Sequence, residues 1–287
     1  MRLINVDTLI FEEFYYEKLP LYVILSHTWA SDEEEISFRH MMLRTLPDEP
    51  NAGLVKLRGC CNQAKKYGIG YVWIDTCYID KTNSVELNEA INSMFHWYRD
   101  AQICYAYLSD FPDKGLTGEE AAAHFRTSRW FTRGWTLQEL LVPRSLVFYN
   151  SRWQPLGTKA QLSDDLAKST GIPREILLDI RDLYTASVAQ RMSWAAWRQI
   201  RRKEDVAYCL LGIFGVVMPM IYGEGTEMAF LRLQQEILRR KQDHSILAWG
   251  LGAESTGRLL AAAPSDFTNS GDIVPRKNLA VVHGFQT

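Results

Sequence analysis

Three short apolar runs constrain this chain more than any other feature: Leu21 to Ser26 (LYVILS), Tyr71 to Asp75 (YVWID) and Ile103 to Leu108 (ICYAYL). Each is rich in β-branched and aromatic residues and stops at a polar residue, as a strand feeding a loop does. None alternates between apolar and polar side chains, so each strand has both faces buried. A row of such strands separated by helices demands a parallel sheet covered on both sides, and the fold class is α/β.

The intervening segments carry helical spacing. Leu54, Leu57, Cys61, Ala64 and Tyr67 recur every three or four residues, and Gly68 and Gly70 close that pattern. Asn83 with Glu86 has the form of a capping box, and Leu87, Ala90, Ile91, Met94 and Tyr98 mark one face of the following helix. Trp135 to Val142 is a short helix stopped by Pro143, and Leu146 to Tyr149 (LVFY) is a fourth strand. Residues 1–157 are therefore expected to form the α/β core. Residues 158–287 form a helical annex packed on it, with helices starting at Pro173 and spanning Val188 to Arg198, Glu204 to Val217 and Thr226 to Arg239. Val206 to Gly223 holds 18 residues without a charge, the lower limit for a membrane span. Gly212, Gly215 and Pro219 interrupt it, so the expectation is a buried core helix ending near Val217 and no stable membrane span.

Composition removes several functions. With 32 basic and 34 acidic residues the net charge is -2, which gives no field to hold a nucleic-acid backbone. Cys60, Cys61, Cys77, Cys104 and Cys209 form no C-x-x-C and lie mostly in apolar runs, as expected of buried thiols in a reducing, intracellular compartment. Met1 to Asp7 lacks the apolar stretch of a secretory signal. His27, His40, His96, His124, His244 and His283 are scattered without metal-ligand spacing, and no metal site is expected. Gly68-Ile69-Gly70 precedes a strand instead of following one, so no dinucleotide fingerprint is present. The turn Gly223-Glu224-Gly225 either cradles an anion or simply starts a helix, and the second reading is preferred.

Open α/β sheets place ligands at the carboxyl ends of their strands. Ser26, His27, Thr28 and Trp29 follow the first strand here, and Asp75 and Thr76 follow the second. Trp135 and Glu139, four apart on a helix, stand on one face. An indole beside a carboxylate suits a flat cationic ring attached to a sugar: the indole stacks, and the carboxylate stabilises positive charge as a glycosidic bond opens. Arg133 either binds phosphate or serves as a surface ion-pair partner. Taken singly, each residue has a plain alternative as a core aromatic, loop cap or solvated surface group.

Leu21 to Trp29 (LYVILSHTW), Tyr71 to Lys81 (YVWIDTCYIDK) and Trp130 to Leu140 (WFTRGWTLQEL) resemble the three blocks of the fungal heterokaryon-incompatibility (HET) domain. The resemblance continues through Arg191 to Ala195 (RMSWA), Glu204 to Phe214 (EDVAYCLLGIF) and Tyr222 to Gln234 (YGEGTEMAFLRLQ), covering most of residues 21 to 249. It implies a cytoplasmic cell-death effector at the N-terminus of a larger protein with a nucleotide-binding NACHT module and a WD-repeat sensor. HET domains are in turn similar to TIR domains, whose sheet is flavodoxin-like, and Trp135 to Leu140 resembles the TIR W-x-x-x-E-L segment. That similarity implies Glu139 as the catalytic residue for cleaving the nicotinamide-ribose bond of NAD. Trp135 would line the nicotinamide side, with Ser26, His27, Trp29, Asp75 and Arg133 in the substrate site. NAD would be a consumed substrate, so no cofactor is needed, and activation would come from self-association with other HET or TIR-like domains. The chain departs from the TIR pattern in its long Asp110 to Arg129 stretch and in the annex. The rival reading is a non-enzymatic signalling scaffold that acts by homotypic self-assembly.

Overall fold

The computed structural model describes residues 1–80, 82–112, 116–240, 243–252 and 257–274. Lys81, His283 and the chain end at Phe285, Gln286 and Thr287 lie outside the described residues. Seven strands form one sheet: β1 (Arg2–Asn5), β2 (Phe11–Glu13), β3 (Tyr22–His27), β4 (Tyr71–Trp73), β5 (Ile103–Tyr107), β6 (Leu146–Tyr149) and β7 (Pro155–Thr158), in the order β2-β1-β4-β3-β5-β6-β7. The four strands expected from the apolar runs make up its parallel centre, with β3 paired to β4 and β5, and β5 to β6.

The sheet is not parallel throughout, as the apolar runs alone imply. β1 joins β4 antiparallel and pairs with β2 as a hairpin, while β7 closes the other side antiparallel to β6. β1, inside the sheet, and the edge strands β2 and β7 are all short and only partly buried, so they lack the uninterrupted apolar run that betrays the parallel strands.

All six residues of β3 are buried, because helices cover both faces of the sheet. Alternate residues face opposite ways. Tyr22 and Ile24 join one core with Ile91, Met94 and Trp97, whereas Val23 and Leu25 join a second with Leu54, Leu57 and Cys61. The helices of the α/β part are α1 (Phe38–Leu43), α2 (Ala52–Lys66), the single turn α3 (Asp75–Tyr78), α4 (Ser84–Asp100), α5 (Gly118–Arg126) and α6 (Thr136–Leu141). Asn51 caps α2 by accepting from Leu54 N at 2.8 Å. Asn83 caps α4 in the same way, but Glu86 does not complete the box: its carboxylate pairs with Arg2 instead.

In chain order the parallel strands lie 2-1-3-4, so the winding reverses between β3 and β5. Such a reversal opens a crevice at the strand ends.

Beyond Thr158 the described residues add helices α7 (Ser163–Thr170), α8 (Arg174–Leu177), α9 (Val188–Ser193), α10 (Asp205–Tyr208), α11 (Leu211–Phe214) and α12 (Gly225–Arg240). The single helix anticipated over Glu204 to Val217 is broken into α10 and α11, and Gly215 ends the second in a left-handed conformation with φ 66°. Among the described residues no helix is long and apolar enough to cross a membrane. The annex shares the first core: Tyr208, Phe214 and Phe230 belong to the same buried cluster as Ile24 and Met94.

Contact between α11 and α4 depends on Gly212, where a β-carbon would fall 2.3 Å from a ring carbon of Phe95. Gly212→Ala is therefore expected to lower stability by about 1–3 kcal/mol through overpacking, measured by urea unfolding. An unchanged midpoint would mean that the annex is not held at this contact.

Candidate active site

Three elements meet at the crevice. β3 ends with Ser26 and His27, α3 begins at Asp75 directly after the second parallel strand, and α6 packs against both β3 and α4. All six residues of α6 are buried, Glu139 among them at 4% exposure. The Ser26 hydroxyl donates to Glu139 Oε2 at 2.5 Å and accepts from the Trp130 indole nitrogen at 2.8 Å. Trp130 itself sits in a 3-10 turn, Arg129–Thr132, that leads into α6.

Burial pushes the Glu139 carboxyl up to about 8, because no bulk water remains to solvate the anion. The Asp75 charge raises it further, while the Ser26 and Tyr98 hydroxyls and Arg133 act in the opposite direction. Desolvation prevails, and the group is mostly protonated at neutral pH.

Glu139 forms part of the wall of a cavity of ≈ 260 Å³. Apolar side chains of α4, Leu87, Ile91 and Met94, form one side. His27 and Trp29 line another, joined by Asp75: His27 Nε2 lies 2.9 Å from Asp75 Oδ1, and Trp29 Nε1 donates to Asp75 Oδ2 at 2.8 Å. The loop bearing Trp29 is anchored from below by the buried pair Lys56 and Glu35. Lys56 Nζ donates to Thr28 O at 3.0 Å, and Glu35 accepts from Ala30 N at 2.6 Å.

The annex supplies the remaining wall. Asp205 at the start of α10 accepts from Trp135 Nε1 at 3.2 Å and from the Tyr222 hydroxyl at 3.1 Å, holding two aromatic rings at the cavity. Arg202 lies over the Tyr222 ring, 4.4 Å from its centroid. Arg201 reaches back to Asp32 in a forked pair at 2.9 and 3.0 Å. Both partners are exposed, so this pair adds little stability and chiefly fixes geometry at the rim.

Six of the seven residues singled out from sequence line this cavity: His27, Trp29, Asp75, Arg133, Trp135 and Glu139. Ser26 does not; it is fully buried behind Glu139 and orients that carboxyl. Sequence reasoning missed Asp205, Tyr222, Arg201 and Arg202. Asp205 and Tyr222 lie in blocks quoted for the family resemblance, but nothing in their spacing indicates that they fold back onto α6.

Other candidates have ordinary explanations. The amides of Gly223 and Gly225 are taken by the chain's own Glu204 carboxylate, at 2.9 and 3.0 Å. Cys77 is buried, its thiol donates weakly to Ile36 O at 3.5 Å, and burial pushes its pKa up, away from the thiolate a nucleophile requires. Among the described residues no three His, Cys, Asp or Glu side chains gather as metal ligands would.

An α/β domain with a buried carboxyl on an aromatic cavity at its winding reversal is the class that these features define. Residues 22–118 match the family model described as heterokaryon incompatibility protein (HET), and residues 228–257 match a domain of unknown function (DUF8212). The vegetative incompatibility protein HET-E-1 of Podospora anserina is 46% identical over 223 residues, which cover 77% of this chain and 16% of that protein. This chain belongs to the heterokaryon incompatibility (HET) family. No solved structure matches it.

Folding draws a proton onto Glu139 between its ordinary value of 4.5 and its folded value of about 8. The stability carried by that proton is complete below pH 4.5 and is lost as pH rises towards 8, at up to ~1.4 kcal/mol per pH unit. Glu139→Gln, which cannot ionise, is expected to gain stability relative to wild type from about pH 5 to about pH 8, read as the difference in urea midpoints. A difference that stays constant over that range would place the ionisation at its ordinary pH.

Proposed function

We propose that this domain is a cell-death effector of vegetative incompatibility that hydrolyses the nicotinamide-ribose bond of NAD when copies are brought together. The observation that carries the reading is Glu139, buried yet lining an aromatic cavity with Trp135 and Trp29. The relative's name supports the incompatibility role, and the strand order at the sheet's centre supports the TIR-like, flavodoxin-like reading. The chain spans 16% of that relative's length. A longer cytoplasmic parent chain with NACHT and WD-repeat modules, and self-association as trigger, belong to the same proposal.

The cavity lies just below the range of ~300–1,000 Å³ typical of small-molecule pockets, so it takes one end of a dinucleotide. The cationic nicotinamide ring enters between Trp135 and Trp29, towards Glu139 and Asp75. The diphosphate and adenosine remain at the rim, where Arg133, Arg201 and Arg202 offer guanidinium groups. Entry of the cation reverses the balance at Glu139: a positive charge beside a desolvated carboxyl favours its ionised form. The carboxylate then stabilises oxocarbenium character at the ribose carbon as the carbon-nitrogen bond breaks and its electron pair leaves with neutral nicotinamide. Water adds to that carbon and releases one proton, giving ADP-ribose.

Purified domain clustered at high concentration is expected to release nicotinamide, and Glu139→Gln to lose the activity at least 100-fold with its fold intact. Because the carboxylate is the working form, kcat/KM should rise with pH through an apparent pKa near 8, well above the ordinary 4.5. Full activity in the variant would sink the assignment. No release from clustered, folded wild type would instead favour the scaffold that signals by assembly alone.

A further inference from the structure

Trp135 and Asp205 line the same cavity from different parts of the chain, Trp135 from the turn into α6 and Asp205 from the first residue of α10. An indole has one donor, so its single hydrogen bond decides how the ring is turned. That bond goes to Asp205 Oδ2 at 3.2 Å, while the Tyr222 hydroxyl donates to Oδ1 at 3.1 Å, so the carboxylate is fixed at both oxygens. Tyr222 is fixed in turn. The Tyr208 ring meets it edge-on at 5.5 Å, and the Arg202 guanidinium lies 4.4 Å from its centroid. Burial raises the Asp205 pKa above its ordinary value, while the Trp135 and Tyr222 bonds and the Arg202 charge favour the carboxylate. An anionic acceptor on the indole N–H pushes electron density into the ring, and such polarisation is strongest away from water. A ring enriched in this way attracts a cation more strongly, because the attraction is to the negative charge of its face.

We propose that Asp205 is a positioning residue for a flat cationic ring: it orients and polarises the Trp135 indole, and so gives the cavity a preference for a pyridinium over the neutral base. The inference rests on reading the site as one for NAD, whose nicotinamide is charged before cleavage and neutral after it. The cavity thereby favours substrate over departing product. The annex sets that preference, since Asp205 and the Tyr222 that steadies it both lie beyond the α/β core.

The test uses two probes of nearly the same shape, 1-methylnicotinamide, a cation, and nicotinamide, which is neutral. Calorimetry on the clustered chain is expected to show tighter binding of the cation, with the charge-transfer absorbance of a pyridinium stacked on an indole. Asp205→Asn removes the charge but keeps both contacts, because its amide oxygen accepts from Trp135 and its NH2 donates to the Tyr222 oxygen. The ratio of the two affinities should fall about 3- to 10-fold in this variant. In a Trp135→Phe background, which has no indole N–H to polarise, the same substitution should leave the ratio unchanged. Tyr222→Phe, which frees one carboxylate oxygen, should lower the ratio in the Trp135 chain and supplies the comparison if Asp205→Asn does not fold. Equal falls with and without the indole would mean that Asp205 acts on the cation directly, and an unaltered ratio in every variant would leave it the role of docking the annex. Either result overturns the proposal while NAD cleavage stands. Binding of neither probe, with no release of nicotinamide from NAD, overturns the reading of the site and this inference with it.

Discussion

The interaction on which the rest of this structure depends is the placement of a carboxyl group, Glu139, where water cannot solvate its charge. An isolated buried carboxylate is among the costliest groups a fold can hold, and proteins respond by pairing it or by keeping it neutral. Here the second solution dominates, with the Ser26 hydroxyl bonded to Oε2 and the Trp130 indole bonded in turn to Ser26. Each member of that chain needs its own support. Ser26 is fixed by β3, which hydrogen-bonds to a strand on either side, and Trp130 by packing edge-on against Phe148 of β6. The sheet is thus the rigid frame that holds a buried carboxyl in an otherwise unfavourable environment.

How much of this was legible in the sequence followed from burial. β3 and β5 are covered on both faces and announce themselves as LYVILS and ICYAYL. β1, β2 and β7 carry no comparable signal: β2 and β7 are half-exposed edge strands, and β1, which lies between β2 and β4, has only two buried residues. The annex was readable as helical. The break between α10 and α11 was not, because an apolar run looks the same whether a helix passes through it or is interrupted at Cys209 and Leu210.

The site shows the same division. His27, Trp29 and Asp75 sit at strand ends, where topology alone directs attention, and Trp135 and Glu139 are related by one helical turn. Asp205 and Tyr222 are related to Trp135 only through the docked annex, so no local pattern joins them. Ser26 was picked out for the right neighbourhood, but its place behind Glu139 depends on which way alternate residues of β3 point. The family model spans residues 22–118, so it takes in His27, Trp29 and Asp75 but stops short of Glu139 and the annex wall. Agreement over that stretch alone would say little about the cavity.

The order in which these walls occur along the chain bears on biosynthesis. A chain emerging from the ribosome exposes the β3 residues first, Glu139 much later, and Asp205 and Tyr222 later still. Until α10 docks, Trp135 lacks the carboxylate that holds its indole, and the cavity lacks a side. A nascent or truncated chain therefore carries Glu139 without a closed cavity around it. The wall that completes the cavity is thus translated after the carboxyl it encloses, so the cavity takes shape only once the annex has docked on the α/β core.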